Sequence, residues 1–264
     1  MRRLGYLALL LVAIFGMSVL AFAEEWKKDY KVGASPSLTV ETNDASIHVS
    51  PGSGNIISAR VITRNRSIGS DGVRITEYQS GDSVRLQIKL PHRVVFSLSG
   101  GNEVQIEVSV PPNTKTSLTS SDGSLHIAGV RAPANLVTSD GSIHADDIDG
   151  TLVARTSDGS ITVSGRFDNL DLSTSDGHVK CEARAGSRVN GWNLRSSDGS
   201  IELRIPGDLA ADLDAWTSDG HVAVNMPMMV EGSQARNRVR GKLNGGGGVL
   251  KIHTSDGSIT VNKL

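Results

Sequence analysis

A short signature, Ser-Asp-Gly-Ser or a near variant, returns along this chain at almost constant spacing. Its aspartate–glycine pairs are Asp122-Gly123, Asp140-Gly141, Asp158-Gly159, Asp176-Gly177, Asp198-Gly199, Asp219-Gly220 and Asp256-Gly257. The first three intervals are 18 residues, the next two are 22 and 21, and the last is 37, which reads as two units. A degenerate copy lies at Asn43-Asp44-Ala45-Ser46-Ile47-His48-Val49. A period near 20 residues marks a solenoid, because one such turn cannot bury its own apolar face and stacked turns can.

Aligned units read Leu-x-Leu/Ala-x-Thr-Ser-Asp-Gly-Ser-Ile-x-Val. Leu152, Ala154 and Thr156 alternate with outward residues before one corner, and Ile161 and Val163 alternate after it. Leu170, Leu172, Thr174, Val179 and Cys181 repeat the pattern, as do Leu250, Ile252, Thr254, Ile259 and Val261. Alternation with period two means half-buried strands. Val130, Ile148 and Phe167 follow the second strand of their units and are expected to face inward from a third side. Asp-Gly also suits a tight antiparallel hairpin. Recurrence of one residue type at one phase favours stacked coils, with a left-handed glycine at each corner.

The expected fold is therefore all-β: a β-solenoid, or single-stranded parallel β-helix, of about 18–22-residue coils with Ser-Asp-Gly corners. Residues 113–264 form its regular part. Residues 24–112 read as less regular coils or a cap, with strands around Leu38–Val40, Ile47–Val49, Ile57–Ile62, Val73–Ile75, Val84–Ile88 and Val104–Val108. The end of a stack exposes unpaired strand edges and needs such a cap. Residues 24–264 are read as one domain, a stiff rod about 50 Å long at the inter-strand spacing.

The chain opens Met1-Arg2-Arg3, continues apolar from Leu4 to Phe22, and passes Ala21-Phe22-Ala23 into Glu24-Glu25-Trp26-Lys27-Lys28. A basic start, a short apolar run and small exit residues read as a signal peptide over residues 1–23, cleaved on export. No later stretch is long and apolar enough to span a bilayer. Removing Arg2 and Arg3 takes 27 cationic side chains to 25 against 28 acidic ones, a balance of −3. That argues against a nucleic-acid partner. The single cysteine, Cys181, cannot make an internal disulfide and reads as a small buried apolar residue.

Three stretches carry a family likeness. They are Val108-Ser109-Val110-Pro111-Pro112-Asn113, the series of Thr-Ser-Asp-Gly-Ser-Ile units, and Arg240-Gly241-Lys242-Leu243-Asn244 with Gly245 to Gly248, which leads into the last unit from Leu250 to Ile259. In these the chain resembles the DUF4097-type bacterial putative-adhesin families, built from head-domain-like β-solenoids. The resemblance implies an envelope-associated or adhesive role, without a known ligand or catalytic residue, so no functional residue is carried over.

The corner aspartates could form a calcium ladder, but Asp side chains at turns cap nearby backbone amides, and that structural role is preferred. Asp146-Asp147-Ile148-Asp149 could supply the carboxylates of a glycosidase or lyase, but the stretch reads as a solvated loop. His126 and His144 share a phase in adjacent units, and Thr162 and Lys180 follow, so that column is expected to stop at two. His178 and His221 stand where other units have Ser. Gly245 to Gly248 lacks the following Lys-Ser/Thr of a phosphate loop and reads as a flexible corner. Arg236, Arg238, Arg240 and Lys242 could form a basic stripe for anionic glycans or lipid headgroups, or simply a solvated strand face. Met226, Met228, Met229 and Val230 form the most apolar loop outside the repeats and a candidate partner surface.

No catalytic, metal or cofactor site is assigned. The expected function is that of a non-enzymatic exported protein, periplasmic, cell-surface or secreted, whose repeated polar faces bind a surface glycan or an envelope protein. The alternatives are a polysaccharide lyase or hydrolase on a β-helix, and an accessory of an envelope-stress or signalling system.

Overall fold

A computed structural model describes residues 23–91, 104–231 and 235–264. The segment read as a signal peptide lies outside them, apart from Ala23. Every regular element among the described residues is a strand.

Two ladders run side by side along the molecule. In spatial order the first joins Arg74–Ser80, Ser83–Lys89, Ser37–Thr42, Lys115–Thr119, Ala134–Val137, the later halves of Ile143–Arg155 and Ile161–Ser173, Trp192–Arg195, Val249–Thr254, Ala211–Thr217, Arg238–Leu243 and Met229–Val230. The second joins Ala23–Lys31, Ile56–Arg64, Val104–Val110, Ser46–Pro51, Leu125–Ala128, the earlier halves of the two long strands, Val179–Ala183, Ile201–Ile205, Ile259–Lys263 and Val222–Asn225. Between the ends all pairing is parallel, and like residues face like residues. Ile143 pairs with Ile161, Ile161 with Val179, Val179 with Ile201, and Ile201 with Ile259. All five are at most 1% exposed. Val130, Ile148 and Phe167 are equally buried, and Phe167 meets the edge of Trp192 at 6.2 Å.

Spatial order departs from chain order at both ends of the stack. The coil of residues 37–51 lies between strands of 83–110 and the coil of 115–128. The coil of residues 249–263 lies between those of 192–205 and 211–225. The interval of 37 residues from Asp219 to Asp256 is therefore not two stacked units. It holds a two-strand excursion, Met229–Val230 and Arg238–Leu243, which caps the stack antiparallel to Ala211–Thr217 before the chain turns back.

The corners hold the coils in register through the backbone. The amides of Ser157 and Asp158 both donate to the carbonyl of Ser139, at 2.9 and 3.0 Å. Ser175 and Asp176 repeat this on Ser157, and Ser197 and Asp198 repeat it on Ser175. Inside each corner a buried hydroxyl ties two coils together. Thr156 donates toward the carbonyls of Ser139 and Gly141, both at 2.9 Å, and accepts from the Gly159 amide at 3.3 Å. Thr138, Thr174, Thr254 and Thr217 donate likewise, with Ser120 and Ser196 as their counterparts. A buried hydroxyl is tolerated only when so satisfied.

The expectation of a left-handed glycine at each corner fails. None of Gly123, Gly141, Gly159, Gly177, Gly199, Gly220 and Gly257 has positive φ. Glycine is needed there for close approach. A Cβ on Gly141, Gly159 or Gly177 would overlap the carbonyl oxygen of the corner glycine one coil away. At Gly123 it would meet the carbonyl of Ala45, which holds that place in the degenerate copy.

The outermost strand at one end, Ala23–Lys31, is studded with charge on its exposed positions. Glu77 of Arg74–Ser80 receives Lys28 at 2.5 Å, and the Tyr30 hydroxyl as well, which ties the two ladders together at that end. Charged edges of this kind resist pairing with another chain.

Candidate functional site

The corner edge presents Asp122, Asp140, Asp158, Asp176, Asp198, Asp256 and Asp219 to solvent in spatial order, with Asp44 at its start. Their backbone amides carry the register, and their glycines carry the close approach. No group of three or more metal-ligating side chains converges among the described residues.

One residue past the corner glycine, side chains accept from the next coil. Ser142 accepts from the Ser160 amide at 3.4 Å, and Ser160 from the His178 amide at 3.2 Å. His178 does the same through Nδ1, which accepts from the Ser200 amide at 3.0 Å. That contact places the proton of a neutral His178 on Nε2. His221 Nδ1 lies 2.9 Å from the Ser258 hydroxyl. His178 thus fills the acceptor role that Ser fills elsewhere.

The histidine column is three rings tall. His48 stacks on His126 at 4.5 Å, and His126 on His144 at 4.8 Å, with the rings within 6° of parallel. The third ring comes from the coil of 37–51, which chain order had placed too far away to count. Burial is the main cause that holds His126 below the usual imidazole range, and the neighbouring His48 and His144 add to it, against Asp146. Parallel rings at this spacing hold their in-plane lone pairs parallel. They cannot converge on one ion at the ~2.0–2.1 Å of a zinc–imidazole bond. Beside His48 lies a groove of about 540 Å³ lined by Lys27, Asp29, Arg60, Gln105 and Glu107. Arg60 there bonds both Glu25 and Glu107.

The acidic stretch is largely spoken for. Asp149 and Asp168 both bind Arg166, at 2.5 and 2.8 Å. Asp147 binds Arg184 at 2.5 Å, and Asp146 accepts from the Ser164 hydroxyl at 3.2 Å. The Arg166 contacts hold the Asp168 carboxyl below the usual carboxylate range. These carboxylates are divided among arginines along the rod rather than paired across a cleft, as glycosidic chemistry requires. Cys181 is fully buried, and burial pushes its thiol well above the usual range. Gly245 and Gly246 both have positive φ and make a tight turn. Of the apolar loop, Met226 and Met228 pack on the core, while Met229 and Val230 are exposed at the capped end.

The residue just before each buried hydroxyl points outward, and near the capped end these form a charged and aromatic column. Arg195, His253, Trp216 and Arg238 lie on successive strands. The His253 and Trp216 rings stack at 4.4 Å, and the Arg238 guanidinium lies 5.5 Å from the indole centre. One column over, Asp214 accepts from Arg240 at 3.0 and 2.9 Å and from Arg238 at 3.0 and 3.1 Å. The Arg240 bond, against burial and with Arg238 in support, holds the Asp214 carboxyl below its usual range. Lys242 pairs with Glu231 at 3.1 Å. Of the basic stripe expected from sequence, Arg238, Arg240 and Lys242 are brought into this face. Arg195, His253 and Trp216 went unnoticed in the sequence, although each directly precedes its Thr/Ser-Ser-Asp-Gly corner.

No helix of the described residues is long and apolar enough to cross a membrane. Among solved structures the fold is similar to a putative adhesin from Bacteroides fragilis, at 13% identity and a TM-score of 0.50, covering 91% of this chain and 97% of that one. It is also similar to a putative cell adhesion protein from Clostridium sporogenes, at 13% identity and a TM-score of 0.46, covering 92% and 100%. A search of curated proteins finds no match. The family model described as Toastrack DUF4097 matches residues 28–262, almost the whole of both ladders. With stacked coils, capped ends and a match over most of its length, the chain belongs to the Toastrack DUF4097 family.

Proposed function

We propose that this protein is a non-enzymatic binding module of the bacterial cell envelope, exported through the leader of residues 1–23. Its outward columns make many individually weak contacts to surface glycans or envelope proteins. The observation that carries the reading is the arrangement of outward side chains in rows, one per coil, on the ladder faces. Rows of like groups at the strand spacing suit a repeating partner, since linked weak contacts gain avidity without a deep pocket. The pairing of Asp147, Asp149 and Asp168 with arginines supports binding over hydrolysis. In this reading the Ser-Asp-Gly corners are structural, and their aspartates line the edge between the two faces. The proposed location is periplasmic, cell-surface or secreted.

The test is a binding screen of the purified mature chain against glycans and envelope proteins. Saturable binding to a surface polymer or envelope protein is expected. Absence of saturable binding to either class would overturn the reading.

A further inference from the structure

We propose that the face around Trp216 is a site for an acidic polysaccharide bearing carboxylates on successive sugars. The proposal rests on the binding reading above and names its surface and ligand class. Arg195, Lys251, Arg238 and Arg240 stand there around Asp214, and one column further Lys242 pairs with Glu231, in a chain whose overall formal charge is −1. Among the described residues neither Arg195 nor Lys251 has a carboxylate partner. Arg195 is instead steadied by the Asn193 side-chain oxygen at 3.0 Å. Asp214 holds two guanidiniums at once, fixing their planes while neutralising only one of the two charges. A fixed planar guanidinium with spare N–H groups matches a carboxylate edge to edge.

The geometry selects an anionic polymer over a neutral one. Neutral sugars are commonly held by a bare aromatic face, but both faces of Trp216 are covered, one by His253 and the other by Arg238. The indole shows its edge, and its N–H has no acceptor among the described residues. The His253 Nδ1 lies 3.3 Å from the Trp216 carbonyl, which can only accept, so Nδ1 carries a proton and Nε2 is left for a ligand. Cations and polar edges repeat along the rod at about 4.8 Å, the strand spacing, which is comparable to the length of one pyranose unit. From Arg195 to Arg238 is three such steps, about 14 Å, room for a few sugars lying along the axis. A membrane surface fits less well. The exposed Met229 and Val230 belong to the cap, two strands beyond Trp216, and the exposed Val249 lies opposite Asp212, four residues along the strand from the ring, so no apolar side chain directly beside the indole is free to insert.

The experiment measures binding of the mature protein to polygalacturonate by calorimetry. Dextran, poly-glutamate and vesicles of phosphatidylglycerol and phosphatidylcholine are run alongside. Saturable, salt-sensitive binding to polygalacturonate alone is expected. The double variant Arg195→Gln/Lys251→Gln, which leaves Asp214 and its partners in place, should weaken it at least about tenfold. Asp214→Asn separates a positioned site from diffuse charge. It raises the local charge, so plain attraction predicts tighter binding, whereas loss of guanidinium positioning predicts weaker binding, the expected result. Equal binding to poly-glutamate, binding to the vesicles instead, or tighter binding by Asp214→Asn would each overturn the proposal. Binding to another glycan or protein that the double variant does not disturb would refute this surface and leave the general binding reading standing.

Discussion

Replacing Gly159 with alanine tests whether close approach, rather than backbone conformation, demands glycine at the corners. The φ of Gly159 is not positive, so alanine meets no conformational penalty there. Its Cβ would overlap the Gly141 carbonyl oxygen and lie 2.5 Å from that carbonyl carbon and 2.9 Å from Ser142 Cα. Ordinary carbon–carbon contact is about 3.5–4.0 Å, so the two coils must part by about 1 Å at this point. Three bonds between these coils are short: Ser157 and Asp158 to the Ser139 carbonyl, and Thr156 to the Gly141 carbonyl, at 2.9, 3.0 and 2.9 Å. Losing them at about 1 kcal/mol each, against about 0.5–1 kcal/mol regained from the less flexible unfolded chain, leaves a loss of about 2–2.5 kcal/mol. The control is Gly81→Ala, where φ is +55° and nothing lies within 4 Å of the added carbon. Backbone strain alone should cost about 1 kcal/mol there. Urea unfolding followed by circular dichroism reads both variants. If Gly159→Ala proves no less stable than Gly81→Ala, steric contact between corners is not why glycine recurs.

Thr156→Val keeps the shape but removes the hydroxyl that ties two coils, and should cost about 1–3 kcal/mol in the same assay, while Thr156→Ser, the residue found at 120 and 196, should cost less. The histidine column should make stability fall in acid. His126 is held below the ordinary value of 6.5, so the unfolded chain takes up its proton first. The stability it contributes is complete above that value and is lost as pH drops through the lower folded value. The charges around the column are Lys27, Asp29, Arg60 and Glu107 beside His48, Asp146 beside His144, and Lys180 beyond Thr162. Comparing unfolding midpoints at about pH 7.5 and pH 5 should show a smaller drop for His126→Asn than for the parent. An equal drop would show that the column does not titrate with folding.

Inward positions were legible in the chain because alternation and repeat agree. Ile161, Val179 and Ile259 face inward for the same reason that Thr162, Lys180 and Thr260 face out. Corner positions were legible too, but not the reason for glycine. A repeated Asp-Gly says only that a side chain is unwelcome, and neighbouring backbone can forbid one as firmly as a left-handed φ. What could not be read locally was which coil lies on which. The His48–His126 contact and the Trp216–His253 stack both depend on coils inserted out of chain order, joining residues 78 and 37 apart. Trp216 and His253 share a phase before the corner, so the column was present in the sequence, but their adjacency was set by long-range pairing.

The two inserted coils also determine how such a rod comes into being. The rung of residues 37–51 has its neighbours on both sides only once 83–128 exists, and that of 249–263 slots between segments made before it. The stack therefore cannot lengthen one turn at a time from either tip. Trimming the late rung would not shorten the rod but would open a gap inside it, with Ile201 on one lip and Val222 on the other. Three of the four outermost strands, Arg74–Ser80, Ala23–Lys31 and Met229–Val230, are joined antiparallel to their neighbours, so there the parallel pattern that could recruit a coil of another molecule is broken off.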